Sequence, residues 1–397
     1  MEHQFPKGFT GSGLHCGIKS NAQAEDLALI VSDRPAVGVG VYTRNLVFAA
    51  PVQLDRERTP SESVRGVVIN SGNANACTGE QGLRDARQMA DWFGDACGFS
   101  GDDALVLSTG IIGEHLPMPK IQQGIADAAG RLGGGGDALT LAARGMMTTD
   151  TVPKIRARSF ELDGAPVNVV GLAKGAAMIG PSMATMLGVV MTDAAISAAD
   201  AQAALSEAVD ESFNCISVDG HTSTNDTVLL LANGAAGGPV VEGKSLSILR
   251  ATILEVCEDL AQAIPADGEG ATHLVTVEVH GCKSRKDAVQ IAKTIADSPL
   301  VKTAIAGADP NWGRIVSAAG YAGVPFQPES VTLLINGLLV YEHGVPVKFD
   351  AEEVSASIRD NRDTGLVLIL SEGAESARFW TTDLTAEYVR LNADYHT

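Results

Sequence analysis

Residues 174–188 place a threonine directly after an alanine, surround the pair with small residues and include one lysine. A threonine hydroxyl is a weak nucleophile at neutral pH unless a base removes its proton. The threonine's own α-amine can be that base, with a pKa of about 8, but it exists only after the preceding peptide bond is broken. Scission between Ala184 and Thr185 would therefore create a catalyst. Thr185 would be the nucleophile and, through its α-amine, the base.

The same stretch has two simpler interpretations. Residues 171–199 approach the apolar length of a membrane helix, but Lys174, Asp193 and several glycines interrupt them too often. Residues 187–191 form a short apolar run with the length of a buried strand. A strand that begins just after a nucleophile is compatible with the chemistry, so both predictions stand together.

Apolar runs of strand length alternate with amphipathic stretches along the chain, which predicts an α/β or α+β fold. The Asn336-Gly337 pair predicts a tight hairpin, because both turn positions need positive φ. Thr78 followed by Gln81 predicts a capping box, and residues 246–264 have one apolar helical face. The predicted strands are 27–31, 67–69, 104–107, 155–160, 167–170, 227–231, 275–279, 331–335, 338–341 and 366–370.

Two glycine-rich stretches predict connections between elements. Residues 133–136 are four consecutive glycines, which predicts the end of a helix that holds Ile121, Ile125 and Leu132; Asp137 then begins another helix. Residues 235–239 predict a second boundary. Neither a GxxxxGK[ST] motif nor a strand-borne GxGxxG occurs, so nucleotide binding through those motifs is unsupported.

Composition limits the possible functions. A chain of 397 residues with 45% hydrophobic content can form two or three domains with real cores. Its net charge of −19, without a basic run, disfavours nucleic acid as a partner. Six scattered cysteines and eight histidines without metal-ligand spacing favour a reducing compartment and no metal. The first residues lack an import or secretion pattern, so we expect a cytoplasmic protein without a membrane partner.

The potential cleavage segment is similar to one known family. Residues 173–178 (Ala-Lys-Gly-Ala-Ala-Met) followed by 181–187 (Pro-Ser-Met-Ala-Thr-Met-Leu) resemble the self-processing segment of the ornithine acetyltransferase family, also called bifunctional glutamate N-acetyltransferase. Ala176-Ala177 and Ser182 depart from the usual Ser-Gly and Asn, which leaves open their effect on cleavage and pocket fit. Six more segments match the family in order, over essentially the full length: 107–113, 147–154, 219–227, 267–270, 309–314 and 388–397.

This resemblance implies a fold and an assembly. The fold would be a layered α/β sandwich of the self-processing, N-terminal-nucleophile type, with a smaller C-terminal α/β lobe at about 240–397. Cleavage would give an α chain of residues 1–184 and a β chain of residues 185–397 that begins with the nucleophile. Two of each would form an α2β2 heterotetramer.

The resemblance also implies the reaction. The acetyl group of N2-acetylornithine would pass to glutamate through an acetyl-threonine intermediate, in the cyclic pathway of arginine biosynthesis, without a cofactor. Whether acetyl-CoA is also a substrate stays open. Two other classes remain: an N-terminal-nucleophile amidase or aminopeptidase in which water is the acceptor, and a binding protein that keeps the fold without the cut.

Site residues follow from the same match. Thr109 and Gly110 would stabilise the oxyanion, although without the resemblance these residues, just past the strand at 104–107, favour an ordinary strand-ending turn. Lys174 would bind a substrate carboxylate, since burying an unpaired lysine in an apolar run costs free energy. The alternative is that its side chain extends to water. Glu269 suits an ammonium group, although it could be only a loop charge. The implied substrate-binding residues are Thr151, Lys174, Thr185, Glu269, Asn392 and Thr397, the last two requiring an ordered chain end.

Overall fold

The computed structural model describes residues 3–162, 164–180 and 186–394. Of the residues predicted for the site, Ala184, Thr185 and Thr397 lie outside these ranges. The strands are β1 (Phe9–Leu14), β2 (Leu27–Tyr42), β3 (Ser61–Asn73), β4 (Ala104–Ile111), β5 (Lys154–Leu162), β6 (Ala165–Lys174), β7 (Leu187–Thr192), β8 (Thr227–Ala232), β9 (Leu274–Cys282), β10 (Thr332–Ile335), β11 (Leu338–Glu342), β12 (Val345–Pro346), β13 (Asp363–Ile369) and β14 (Glu375–Thr382). The helices are α1 (Ala50–Arg58), α2 (Gly79–Cys97), α3 (Met118–Ala129), α4 (Gly136–Met146), α5 (Ala198–Glu211), α6 (Gly243–Ala266), α7 (Arg285–Ala296), α8 (Pro299–Ala306), α9 (Trp312–Gly320), α10 (Ala351–Arg359) and α11 (Ala386–Asp394).

The larger sheet has the order β4-β3-β2-β8-β7-β6-β5, with β1 beside β2. The long strand β2 joins its two halves, because residues 27–31 pair with β3, residues 37–42 pair with β8, and the register shifts in between. Apolar side chains of both halves, such as Leu107 in β4 and Leu229 in β8, belong to one buried core. The two halves therefore pack as layers of a sandwich.

Strand periodicity explains how helices cover both outer faces of this sandwich. Leu105 and Leu107 point into the shared core, whereas Val106 between them packs with α2 and α3. In the other half, Leu230 points away from the shared core and belongs to the core around α5 and α6. β4 and β8 thus bury both faces, which accounts for their nearly continuous apolar sequence.

The smaller sheet has the order β12-β11-β10-β13-β9-β14 and carries α7 against β9 and β14. Its Val277 and Phe379 share one core with Ile295 of α7 and with α5 and α6 of the larger unit. The two sheets are therefore linked by a continuous apolar interior.

The sequence predicted most of these elements. All ten listed strands and the strand at 187–191 are confirmed, as are the helix over 246–264 and the layered α/β class. The hairpin is confirmed by φ of 49° at Asn336 and 79° at Gly337. Within the described ranges, no helix has the length and apolarity needed to cross a membrane.

Three local predictions were wrong. The Thr78 hydroxyl donates to Asn75 Oδ1 (2.8 Å) rather than capping α2, and Gln81 Nε2 donates to Asp85 instead of reaching back. Leu132 lies beyond the end of α3 at Ala129. Thr109 and Gly110 belong to β4 itself, not to a turn after it, because the parallel pairing with β3 continues past Leu107.

Candidate active site

A cavity of about 760 Å³ opens between the two layers, where the carboxyl ends of β4 and β6 approach the loop before β8. Segment 267–270 and helix α11 complete its wall. Six of the predicted site residues line it together: Thr109, Gly110, Thr151, Lys174, Glu269 and Asn392. Residues from positions 74 to 392 contribute, so only the folded chain forms this cavity.

The end of β4 places Thr109 and Gly110 at the cavity. Gly110 has a φ of 131°, and a Cβ there would lie 2.3 Å from the Gly72 carbonyl carbon of β3. Only glycine fits this close approach in this conformation. The Asn225 amide donates to the Ser108 and Ala74 carbonyl oxygens, at 2.8 and 2.6 Å. A buried side chain from one layer therefore holds the backbone of the other directly beside Thr109.

Lys174, at the end of β6, is 2% exposed and lines the cavity. Its ammonium has no hydrogen bond or ion pair with any residue in the described part of the chain. Burial lowers the pKa of Lys174 to about 8, against the attraction of the Asp150 and Asp226 carboxylates. A buried cation that no described residue pairs with is suited to an anionic group that enters the cavity.

A buried ionic network supports Thr151. Lys154 Nζ donates to Asp150 Oδ1 and to Asp267 Oδ2, each at 2.7 Å. Asp267 accepts the Thr151 hydroxyl and the Thr151 N–H, the latter at 3.0 Å. Asp150 in turn accepts the N–H of Gly175 at 2.7 Å, next to Lys174. The network ties segments more than 100 positions apart into one wall.

Helix α11 closes the other side. The Asn392 amide donates to Glu269 Oε2 at 2.8 Å, and the Glu269 N–H donates to the Ala176 carbonyl at 2.9 Å. The Tyr388 hydroxyl donates to Asp219 Oδ2 at 3.1 Å. The described part of the chain end therefore lies against the cavity at Tyr388 and Asn392, and Thr397 is outside the described residues.

Sequence reasoning missed the supporting residues Asn225, Asp267, Asp219 and Tyr388. The segments that hold them were noted only as a resemblance, with no role for these side chains. The available signal was polar residues packed tightly before an apolar strand, since residues 219–227 precede β8. Such residues need hydrogen-bond partners when buried, and those partners lie far away in sequence.

The arrangement is typical of an α/β enzyme: a cavity that brings together a buried cation, a carboxylate and a strand end that can present hydrogen-bond donors. Comparison with known proteins agrees. The ArgJ family model matches residues 10–397. The arginine biosynthesis bifunctional protein ArgJ of Rhodopirellula baltica is 46% identical, with all of this chain and 97% of that protein aligned. Its counterpart in Symbiobacterium thermophilum is also 46% identical, over 99% of this chain and 98% of that protein.

A solved structure agrees in fold. A crystal structure of the ArgJ protein of Bacillus halodurans is 40% identical with a TM-score of 0.51, and covers 52% of this chain and 98% of the solved one. The chain belongs to the ArgJ family, an enzyme family of arginine biosynthesis. The predicted family is thereby confirmed.

Proposed function

We propose that this chain transfers the acetyl group of N2-acetylornithine to glutamate, with Thr185 as nucleophile after self-cleavage at Ala184-Thr185. The observation that carries the proposal is the shared cavity: Thr109, Gly110, Lys174 and Glu269, which come from three separate segments, line it together. It receives support from the family membership of the whole chain.

The transfer has two halves that use one pocket. The Thr185 hydroxyl attacks the acetyl carbonyl, the amide C–N bond breaks, and the hydroxyl proton passes through the α-amine to the departing nitrogen of ornithine. The glutamate amine then attacks the acetyl ester, the C–O bond breaks, and the proton returns to the threonine oxygen. Donor and acceptor share an α-amino-acid skeleton, so one set of contacts serves both.

The described residues have distinct tasks in this scheme. The Thr109 hydroxyl and the Gly110 N–H would donate to the oxyanion that develops on the carbonyl oxygen. Lys174 would bind a substrate carboxylate, and Glu269 an ammonium group. Thr151 and Asn392 would bind polar substrate atoms, with Thr151 held by Asp267 and Asn392 by Glu269. Thr397 is proposed for the same role from the family match.

The proposal includes the assembly. We propose that residues 1–184 and 185–397 remain together and form an α2β2 heterotetramer in the cytoplasm, without a cofactor. The solved relative supports the cut: nearly all of that chain aligns on about half of this one, which is the length expected of one cleavage product.

Substitution at Thr185 tests the function. We expect Thr185→Ala to remain one polypeptide without transfer activity, and Thr185→Ser to be cut and retain part of the activity, because serine keeps a hydroxyl beside an α-amine. Denaturing gels, N-terminal sequencing and transfer of labelled acetyl from acetylornithine measure both. Sequencing should find a second start at Thr-Met-Leu-Gly, and an active, uncut alanine variant would refute the role of Thr185.

The same assay separates the other classes. Replacing acetylornithine by acetyl-CoA measures whether acetyl-CoA is also a donor. Release of acetate without glutamate would instead support the amidase. The family membership favours the transferase over that alternative.

A further inference from the structure

The loop of residues 219–226 holds both flanks of the segment that contains Ala184 and Thr185. On the upstream flank, Asp219 Oδ2 accepts the Met178 N–H at 2.6 Å and Oδ1 accepts the Ile179 N–H at 2.9 Å. The Ile179 carbonyl accepts the N–H groups of residues 218, 219 and 220, at 2.9 to 3.2 Å. Ile179 therefore has both backbone groups bound to this loop.

Gly180 packs against the same loop so closely that a side chain could not fit. A Cβ on Gly180 would lie 2.5 Å from the Gly220 carbonyl carbon and 2.9 Å from the His221 nitrogen. Contacts this short with backbone atoms can be relieved only by moving the backbone. The position of the chain at residue 180 is thus set by the loop.

On the downstream flank, Asp226 Oδ1 accepts the Met186 N–H at 3.0 Å. The Thr227 N–H donates to the Met186 carbonyl at 3.2 Å, so this residue also has both backbone groups bound. The Met186 nitrogen is covalently attached to the carbonyl carbon of Thr185. The bond from Asp226 therefore acts one peptide unit from the nucleophile.

Burial of Asp226 at this position costs desolvation free energy. It is 0% exposed, and its Oδ2 atom has no hydrogen-bond partner in the described part of the chain. Burial raises the pKa of Asp226 well above the usual carboxyl value, although the Met186 N–H and the Lys174 ammonium oppose this. Among the described residues only one of its two oxygens has a hydrogen-bond partner, so burying this carboxyl costs desolvation free energy and its presence calls for a compensating role.

We propose that Asp219 and Asp226 are positioning residues for self-cleavage, each fixing one flank of residues 181–185; the inference rests on the proposed function. In the cleavage, the Thr185 hydroxyl adds to the Ala184 carbonyl, the C–N bond breaks and the hydroxyl proton moves to the nitrogen. Water then hydrolyses the ester and leaves the Ala184 carboxylate and a free Thr185. Fixing both flanks reduces the conformations that must be searched for this attack.

Replacing the two aspartates that accept these hydrogen bonds, in the full-length chain, tests the proposal. We expect Asp226→Ala and Asp219→Ala to slow cleavage by about 10- to 100-fold. Asp226→Asn should cut near the wild-type rate, because the amide keeps an oxygen that can accept the Met186 N–H. Cell-free synthesis followed by a timed chase on denaturing gels gives the rates, and thermal melting of the purified chains shows whether each variant folds.

Asp55 supplies a matched control. Like Asp226 it is 0% exposed, accepts one backbone N–H (from Val106, 2.9 Å) and has an Oδ2 atom without a partner in the described part of the chain. It lies in α1, where it bonds to β4 rather than to the flanks of the cleavage segment. Asp55→Ala leaves the buried Val106 N–H without its acceptor, as Asp226→Ala does for Met186, so both should lower the melting temperature, yet Asp55→Ala should cut near the wild-type rate.

The possible outcomes distinguish a failure of the positioning role from a failure of the proposed function. If folded Asp226→Ala and Asp219→Ala cut at the wild-type rate, or if Asp55→Ala is slowed as much as they are, the positioning role is wrong. If Asp226→Ala does not fold, the cleavage rate of Asp219→Ala decides alone, because Asp219 is only half-buried. Failure of the wild-type chain to produce the Thr-Met-Leu-Gly start would instead overturn the proposed function itself.

Discussion

Lys174 combines deep burial with an ammonium group that has no partner in the described residues. Its pKa of about 8 follows from that burial, since removal from water disfavours the charged form more than Asp150 and Asp226 favour it. Substrate recognition by this group should therefore depend on pH near the working range of the enzyme.

We expect the KM for N2-acetylornithine to rise as the pH increases through about 8, because Lys174 then loses the charge that attracts a carboxylate. Lys174→Met should raise KM roughly 10- to 100-fold at pH 7, the value of a charged hydrogen bond, and abolish this pH dependence. Steady-state kinetics from pH 7 to about 9.5 measure both. A wild-type KM that is flat across this range would contradict the role of Lys174.

The lowered pKa of Lys174 also makes the free energy of unfolding depend on pH. The folded chain loses the Lys174 proton at about pH 8, whereas the unfolded chain keeps it up to the ordinary value of 10.5. Between these values the unfolded state binds more protons, so this group makes the free energy of unfolding rise with pH. Loss of substrate affinity above pH 8 would therefore not reflect loss of folding through Lys174.

At the scale of elements, the pairing of β4 with β3 determines where the proposed oxyanion donor Gly110 lies. The pairing with β3 becomes irregular at Gly72 and Asn73, opposite Gly110. The close approach of the two backbones requires glycine, and Gly110 lines the cavity.

Gly110→Ala should therefore lower kcat by about 10² to 10³, the usual loss for one oxyanion donor, because the new Cβ displaces the backbone N–H. Gly135→Ala is the matched control: Gly135 has a φ of −83° and open space where its Cβ would be. Assays on protein checked for the Thr185 terminus, with melting curves, separate catalysis from folding and cleavage. A Gly110→Ala enzyme with the wild-type kcat would exclude this donor.

At the scale of the whole molecule, the proposed cut divides strands that remain paired. β6 precedes the cut and β7 follows it, yet they pair from Val169–Thr192 to Lys174–Leu187. β2 likewise pairs with β8, and both sides of the cut contribute to the sandwich core. Cleavage would remove one peptide bond while leaving two backbone ladders and the apolar interior intact.

We therefore expect the two fragments to co-elute in native size-exclusion chromatography and to unfold in urea in one transition, near that of uncut Thr185→Ala. Because strands of both fragments share one core, we expect neither fragment to be stable alone. Separation of the fragments without denaturant would contradict the shared fold.

The sequence by itself determined the strands and the main helices, because alternation of apolar residues and turn chemistry are local properties. Local rules failed at Thr78, where a nearby Asn75 competed successfully for the hydroxyl. The sequence alone also indicated the family, because the residues around Ala184 and Thr185 that resemble its self-processing segment are contiguous in the chain.

Only the tertiary structure decided what surrounds the site. The Asp267 contact with Thr151 spans 116 positions, and the Asn225 contact with Ala74 spans 151. No local pattern encodes such partners, because they are selected by which strands become neighbours and by the need of buried polar atoms for hydrogen bonds. The pKa of Lys174 belongs to the same group of properties: its cause is burial by residues distant in sequence, which exists only in the folded chain.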